Sequence, residues 1–151
     1  MRRGFTLVET LISLAIIGAV ATALGLYGIS VSSARAKAMV TSEVQSNARF
    51  ALDLIQREIR SAANANVSAL DRLELDSAAT VIDLDAGRLR ITKGASSNYV
   101  TASDVRLTIL RFTNLADPMS IRENIKIEMT VEYTGDNPYS YSIISAQSVR
   151  Q

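Results

Sequence analysis

The chain has 151 residues, with 16 Lys or Arg against 15 Asp or Glu, no His and no Cys. That length suits one domain plus a protruding helix, and near-neutral charge argues against a dedicated nucleic-acid binder. Missing cysteine excludes disulfides and thiolate metal sites, and missing histidine removes the commonest general base, every Ser–His arrangement and the usual zinc ligands.

Arg2-Arg3 opens the chain, Gly4-Phe5-Thr6-Leu7-Val8-Glu9 follows, and no charge appears from Thr10 to Ala34. As a helix rising about 1.5 Å per residue, this apolar run is long enough to cross a bilayer core of roughly 30 Å. The basic pair places the N-terminus in the cytoplasm and everything after about Ser33 on the far side. The same features fit a secretory signal peptide, with Ala21-Thr22-Ala23 as its small-residue cleavage site. Glu9 weighs against that reading, because the apolar region of a signal peptide gains nothing from an acid. At the centre of a membrane helix a carboxylate costs roughly 2.5–3.5 kcal/mol, and less near the edge, so Glu9 calls for a functional explanation.

Helix-compatible sequence continues to about Ala63, and no proline occurs before Pro118. Val40, Val44, Ala48, Ala51, Ile55 and Ile59 recur at steps of three or four, with Glu43, Gln45, Asp53, Gln56 and Arg57 between them. This spacing predicts an amphipathic second half to one helix of about 80 Å. Its apolar stripe needs cover, which the remainder must supply.

That remainder reads as strand. Leu73 to Asp76 forms a short edge strand. Val81 to Leu84 and Arg88 to Thr92 flank Asp85-Ala86-Gly87, a hairpin turn with a glycine able to take positive φ. Lys93 to Ser103, with its Gly, Ser and Asn, reads as an exposed loop. Val105 to Phe112 is a strand whose alternation slips near Ile109-Leu110, which predicts a bulge. In the stretch from Ile121 to Tyr133, odd positions from Ile125 onward are apolar or aromatic and even ones polar, the pattern of a half-buried antiparallel strand. Gly135-Asp136-Asn137-Pro138 turns the chain into a last strand, Tyr139 to Val149. The predicted class is α+β: a long N-terminal helix packed on a C-terminal antiparallel sheet.

Candidate chemistry is sparse. Asp83 with Asp85, and Asp71 with Glu74 and Asp76, read as solvated charge on turns rather than as paired acids or a calcium site. Tyr133, Tyr139 and Tyr141 read as cross-strand packing. Ser30, Ser32 and Ser33 read as helix surface. No active site, metal site or cofactor is predicted.

Arg3-Gly4-Phe5-Thr6-Leu7-Val8-Glu9, followed by Leu11-Ile12-Ser13-Leu14-Ala15-Ile16-Ile17-Gly18, closely resembles the class III signal of type IV pilins and type II secretion pseudopilins. The resemblance covers about the first thirty residues and extends as architecture to the whole chain. It implies that a prepilin peptidase cuts between Gly4 and Phe5 and that the same enzyme N-methylates the new Phe5 amine. It implies a filament role for Glu9, beside the N-terminal amine of a neighbouring subunit. Gly18, Ala21, Thr22, Gly25 and Gly28 would let neighbouring helices approach closely.

The expected division is a leader at 1–4, a transmembrane and filament-core helix at 5–33 and an external globular domain at 34–151. Within that domain the helix runs over 34–63 and the sheet over about 71–149. Expected partners are the prepilin peptidase/N-methyltransferase, other pilin or pseudopilin subunits and inner-membrane lipid, with no nucleic acid.

From Gln45 to Ala62 the chain looks like the helix end of J-type minor pseudopilins and of the related W-type minor pilins. Many major pilins have a proline where Leu26 stands and a C-terminal cysteine pair, both missing here. Filament-tip subunits often lack the acid at Glu9. Readings of other classes are a secreted binding domain released by signal peptidase, and a membrane-tethered hydrolase working with carboxylates.

Overall fold

A computed structural model describes residues 6–115 and 123–150. The elements are α1 (Leu7–Ser61), β1 (Ala65–Ala69), β2 (Arg72–Leu75), β3 (Thr80–Asp85), β4 (Arg88–Lys93), β5 (Ser96–Tyr99), β6 (Val105–Asn114), β7 (Asn124–Tyr133) and β8 (Ser140–Ser148). The chain forms two compact units, Met1–Met39 and Val40–Gln151.

In the first unit the described residues are helical from Leu7 onward. The most apolar 18-residue window of α1 has a mean hydropathy of 2.1, and none of it is buried. A helix apolar on every side with no protein around it fits a membrane-spanning or signal-like segment.

In the second unit, Val40, Val44, Ala48, Ala51, Leu52, Ile55 and Ile59 are the buried residues of α1. All six positions of the predicted stripe are among them. They pack in one core with Leu73, Leu75, Ile82 and Leu89 from one sheet and Leu107, Phe112, Ile125, Ile127, Met129 and Val131 from another. Val44, Ala48, Ala51, Ile55 and Ile59 are fully buried. The small Ala48 and Ala51 sit in the middle of this row. The architecture is the α+β, pilin-like one: a long N-terminal helix packed against an antiparallel β layer.

That layer consists of two sheets, β1-β2-β3-β4-β5 and β6-β7-β8, both antiparallel between sequence neighbours. Strand β7 alternates as its sequence predicts, with Ile125, Ile127, Met129 and Val131 buried. The β3–β4 hairpin also matches: Asp85 pairs with Arg88, and Ala86 and Gly87 take φ of 49° and 76°. Two positive φ values in a two-residue loop suit the right-handed twist of the strands. A Cβ at Gly87 would come within 2.8 Å of the Arg106 side chain.

Several expectations need correction. The segment Leu73–Asp76 is not an edge: β2 lies between β1 and β3, and α1 stops at Ser61 so that residues 65–69 form the edge. Strand β1, Ala-Asn-Val-Ser-Ala, has little intrinsic strand preference and takes its form from pairing, Ala65 with Leu75 through Ala69 with Arg72. The predicted loop 93–103 contains β5, four exposed residues laddered on β4 from Arg90–Tyr99 to Lys93–Ser96. Arg88 holds that strand further, its guanidinium 4.5 Å from the Tyr99 ring centre.

The β6 irregularity falls between Leu107 and Ile109, slightly before the predicted position. It swaps the buried parity from Val105 and Leu107 to Leu110 and Phe112. Ile121 and Arg122, at the head of the seventh strand's sequence pattern, lie outside the described residues.

Candidate assembly site

Thr6 stands just before α1, and its Oγ1 accepts the Glu9 backbone N–H at 3.3 Å. The Thr6 carbonyl accepts the N–H groups of Glu9 and Thr10 at 3.0 and 3.2 Å. Thr6-Leu7-Val8-Glu9 is therefore half of a capping box, in which the threonine satisfies one orphan N–H of the first turn. Glu9 occupies the third helical position, where a negative charge is favoured by the helix dipole. Its carboxylate makes no hydrogen bond or ion pair among the described residues. The acid thus has a local role that accounts for its place in the sequence, and a carboxylate without a partner among the described residues. Gly4 and Phe5 lie outside the described residues.

Gly18, Ala21, Thr22, Gly25 and Gly28, with Ala21 and Thr22 adjacent and the others three or four residues from one of them, share one broad stripe of α1. The Thr22 hydroxyl is turned inward, donating to the Gly18 carbonyl at 2.9 Å. A Cβ added at Gly18, Gly25 or Gly28 would meet nothing within 4 Å. The stripe is open.

The acids of the sheet domain are held by structure. Asp83, expected to be solvated, is 9% exposed and receives Arg90 Nε and Nη2 at 2.9 and 2.8 Å. Arg90 Nη1 lies 3.0 Å from Asp85, which also accepts the Tyr99 hydroxyl at 2.5 Å. Bidentate pairing explains why Asp83 tolerates burial. Asp76 Oδ1 accepts the Ala63 and Asn64 N–H groups at 2.7 and 3.4 Å, tying down the chain where α1 ends. Glu74 accepts from Ser68 and Arg72. The tyrosines pack as expected, Tyr141 opposite Val131, while Tyr139 accepts a hydrogen bond from Gln45 of α1 at 3.1 Å.

One carboxyl pair joins two elements: the proton that Glu43 of α1 can share with Asp104 before β6, together with the repulsion between the two charges, raises the Glu43 pKa above its ordinary value. Sequence reading missed it because the two acids meet only through the fold. Three surface hollows are lined with one acid each: Asp53 beside Arg49 and Phe50, Glu128 beside Ile109 and Ile144, and Glu132 beside Arg106 and Tyr133. Among the described residues no group of three His, Cys, Asp or Glu side chains could hold a metal. The arrangement offers no catalytic constellation, which is consistent with a structural protein.

No curated protein and no solved structure matches the chain. Residues 1–25 match the family model of the prokaryotic N-terminal methylation motif, which implies contact with a peptidase and methyltransferase.

Proposed function

We propose that this chain is a minor structural subunit of a type IV pilus or type II secretion pseudopilus. A prepilin peptidase removes residues 1–4 between Gly4 and Phe5 and methylates the Phe5 amine. Residues 5–33 hold the subunit in the inner membrane, with the N-terminus cytoplasmic and residues 34–151 outside, and then enter the filament core. There Glu9 faces the N-terminal amine of a neighbouring subunit, and the stripe Gly18, Ala21, Thr22, Gly25 and Gly28 seats a neighbouring helix. The J/W-like sequence from Gln45 to Ala62, and Leu26 in place of a proline, favour a minor role in priming or capping assembly.

The observation that carries this reading is the methylation-motif match over residues 1–25, running into a helix whose apolar half is unburied. The Glu9 carboxylate, without a partner among the described residues, supports it. So does the continuity of α1 through Ala21-Thr22-Ala23, since a cut there would discard a third of a helix that has no break.

The test is to shear surface filaments from native cells, and from cells lacking the prepilin peptidase, and probe both for this chain. The reading expects the chain in filaments of the first and only full-length precursor in membranes of the second. A soluble, shortened product in both would refute it.

A further inference from the structure

We propose that β8 is an open acceptor edge, to which an extended, uncharged segment of a neighbouring subunit adds as a further strand. The two sheets present four edge strands: β1, β5, β6 and β8. Three are short, irregular or covered. Strand β1 has five residues and loses register between Val67 and Ala69. Strand β5 has four residues. Strand β6 is ten residues long, but its outer side is engaged: Leu107 N–H donates to the Gly87 carbonyl at 2.8 Å, and Phe112 N–H to the Leu70 carbonyl at 2.7 Å.

Among the described residues, β8 has none of these protections. It runs nine residues, Ser-Tyr-Ser-Ile-Ile-Ser-Ala-Gln-Ser, with no charge, proline or glycine. Its pairing with β7 is unbroken from Asn124–Ser148 to Glu132–Ser140. In an antiparallel ladder every second residue turns its N–H and C=O away from its partner strand. Among the described residues no backbone group pairs with that outer row.

Sheets normally blunt such an edge with Lys, Pro, a bulge or a covering loop, and this one has left it straight and neutral. A row without backbone partners, its last carbonyl at Ser148 taken by the Gln147 side chain at 3.1 Å, selects an extended main chain at strand spacing. Side chains refine the choice. On the outward face Ile144 stands 64% exposed between Ser142 and Ala146. An incoming strand can therefore set an apolar residue against Ile144, flanked by small ones, and meets no charge in β8. On the helix side Ser145 is already bonded to Gln56 of α1 at 2.6 Å, which fixes the depth of the edge.

This inference rests on the filament reading, and its test separates the two. Residue-resolved hydrogen exchange is measured along β8 in the full chain, once in detergent before assembly and once in isolated filaments. Alternate β8 amides should exchange freely in the first state and become protected at least about tenfold in the second, while the intervening amides stay protected in both. The free row then shows where proline can be placed without touching the β7 ladder. Proline there should leave the fold and processing intact yet lower incorporation into filaments at least about tenfold, as should Ile144→Lys.

If the chain enters filaments and the free row still exchanges freely, the strand-addition proposal is wrong and the filament reading stands. If both variants incorporate normally, it is likewise overturned. If the chain enters no filament at all, both fall together. Protection of β8 without the two-residue alternation would assign the face to a non-strand partner.

Discussion

Replacing Glu9 by Gln separates its local place in the first turn of α1 from the filament role proposed for it. Glutamine serves in a capping box as glutamate does, so the Thr6 contact and the first turn of α1 persist. What is lost inside the chain is the favourable placement of charge at a helix N-terminus, about 0.3–1 kcal/mol. The carboxylate has no partner among the described residues, so precursor level, membrane insertion and cleavage should change little.

In the proposed filament the carboxylate gains a partner. Two charges about 4 Å apart attract by roughly 4 kcal/mol at an effective dielectric near 20. Removing one partner also leaves the other buried and unpaired, a loss of about 3–5 kcal/mol in comparable pairs. At about 1.4 kcal/mol per tenfold, incorporation should fall by roughly 100-fold or more. The assay compares this chain in sheared filaments and in membranes, by quantitative immunoblot, for Glu9, Glu9→Gln and Glu9→Ala. Normal incorporation of Glu9→Gln would refute the charge-pair reasoning. Loss of both variants from the membrane would show that the acid serves the precursor and not the filament.

Other consequences follow from the sheet domain. Ile55 is fully buried where α1 crosses the sheets, so Ile55→Ala should cost about 2–5 kcal/mol. Phe50, 60% exposed on the other side of α1, should change stability by less than about 0.5 kcal/mol on Phe50→Ala; calorimetry of the full chain in detergent compares them. Asp104 raises the folded-state Glu43 pKa above its ordinary value, so the folded state binds the extra proton and stability falls as pH rises from the unfolded to the folded pKa. Glu43→Gln should abolish this fall, seen as melting temperatures that no longer drop across the window. Ala78 sits at φ 70°. Ala78→Gly should be neutral or stabilising by up to about 1 kcal/mol, whereas Ala78→Val should destabilise by at least that much in urea titrations.

What could be read from the sequence was set by periodicity. The buried row of α1 and the alternation of β7 each repeat over several turns or residue pairs, so burial dictated them position by position. The β3–β4 hairpin was legible because Ala86-Gly87 needs positive φ and Gly supplies it. Strands β1 and β5 were not legible: Ala, Asn and Ser carry no alternation, and what makes them strands is a neighbour already in place. The same limit applies to polar pairs. Asp83 and Arg90 lie across a hairpin and could have been paired from the predicted register, whereas Glu43 and Asp104 meet only in the folded domain. At the candidate site the capping box was present in Thr6-x-x-Glu9 but was overshadowed by the question of why an acid stood beside an apolar run. The partner of that acid is implied by the resemblance of the signal alone, because in the proposed filament it belongs to another subunit.

The most direct test of the central claim is the mass and N-terminal sequence of the mature protein from its native host. A filament subunit begins at N-methylated Phe5 and retains Glu9 with all of α1. A chain beginning near Ala23 would remove Glu9 and a third of the helix, and the filament assignment would be contradicted.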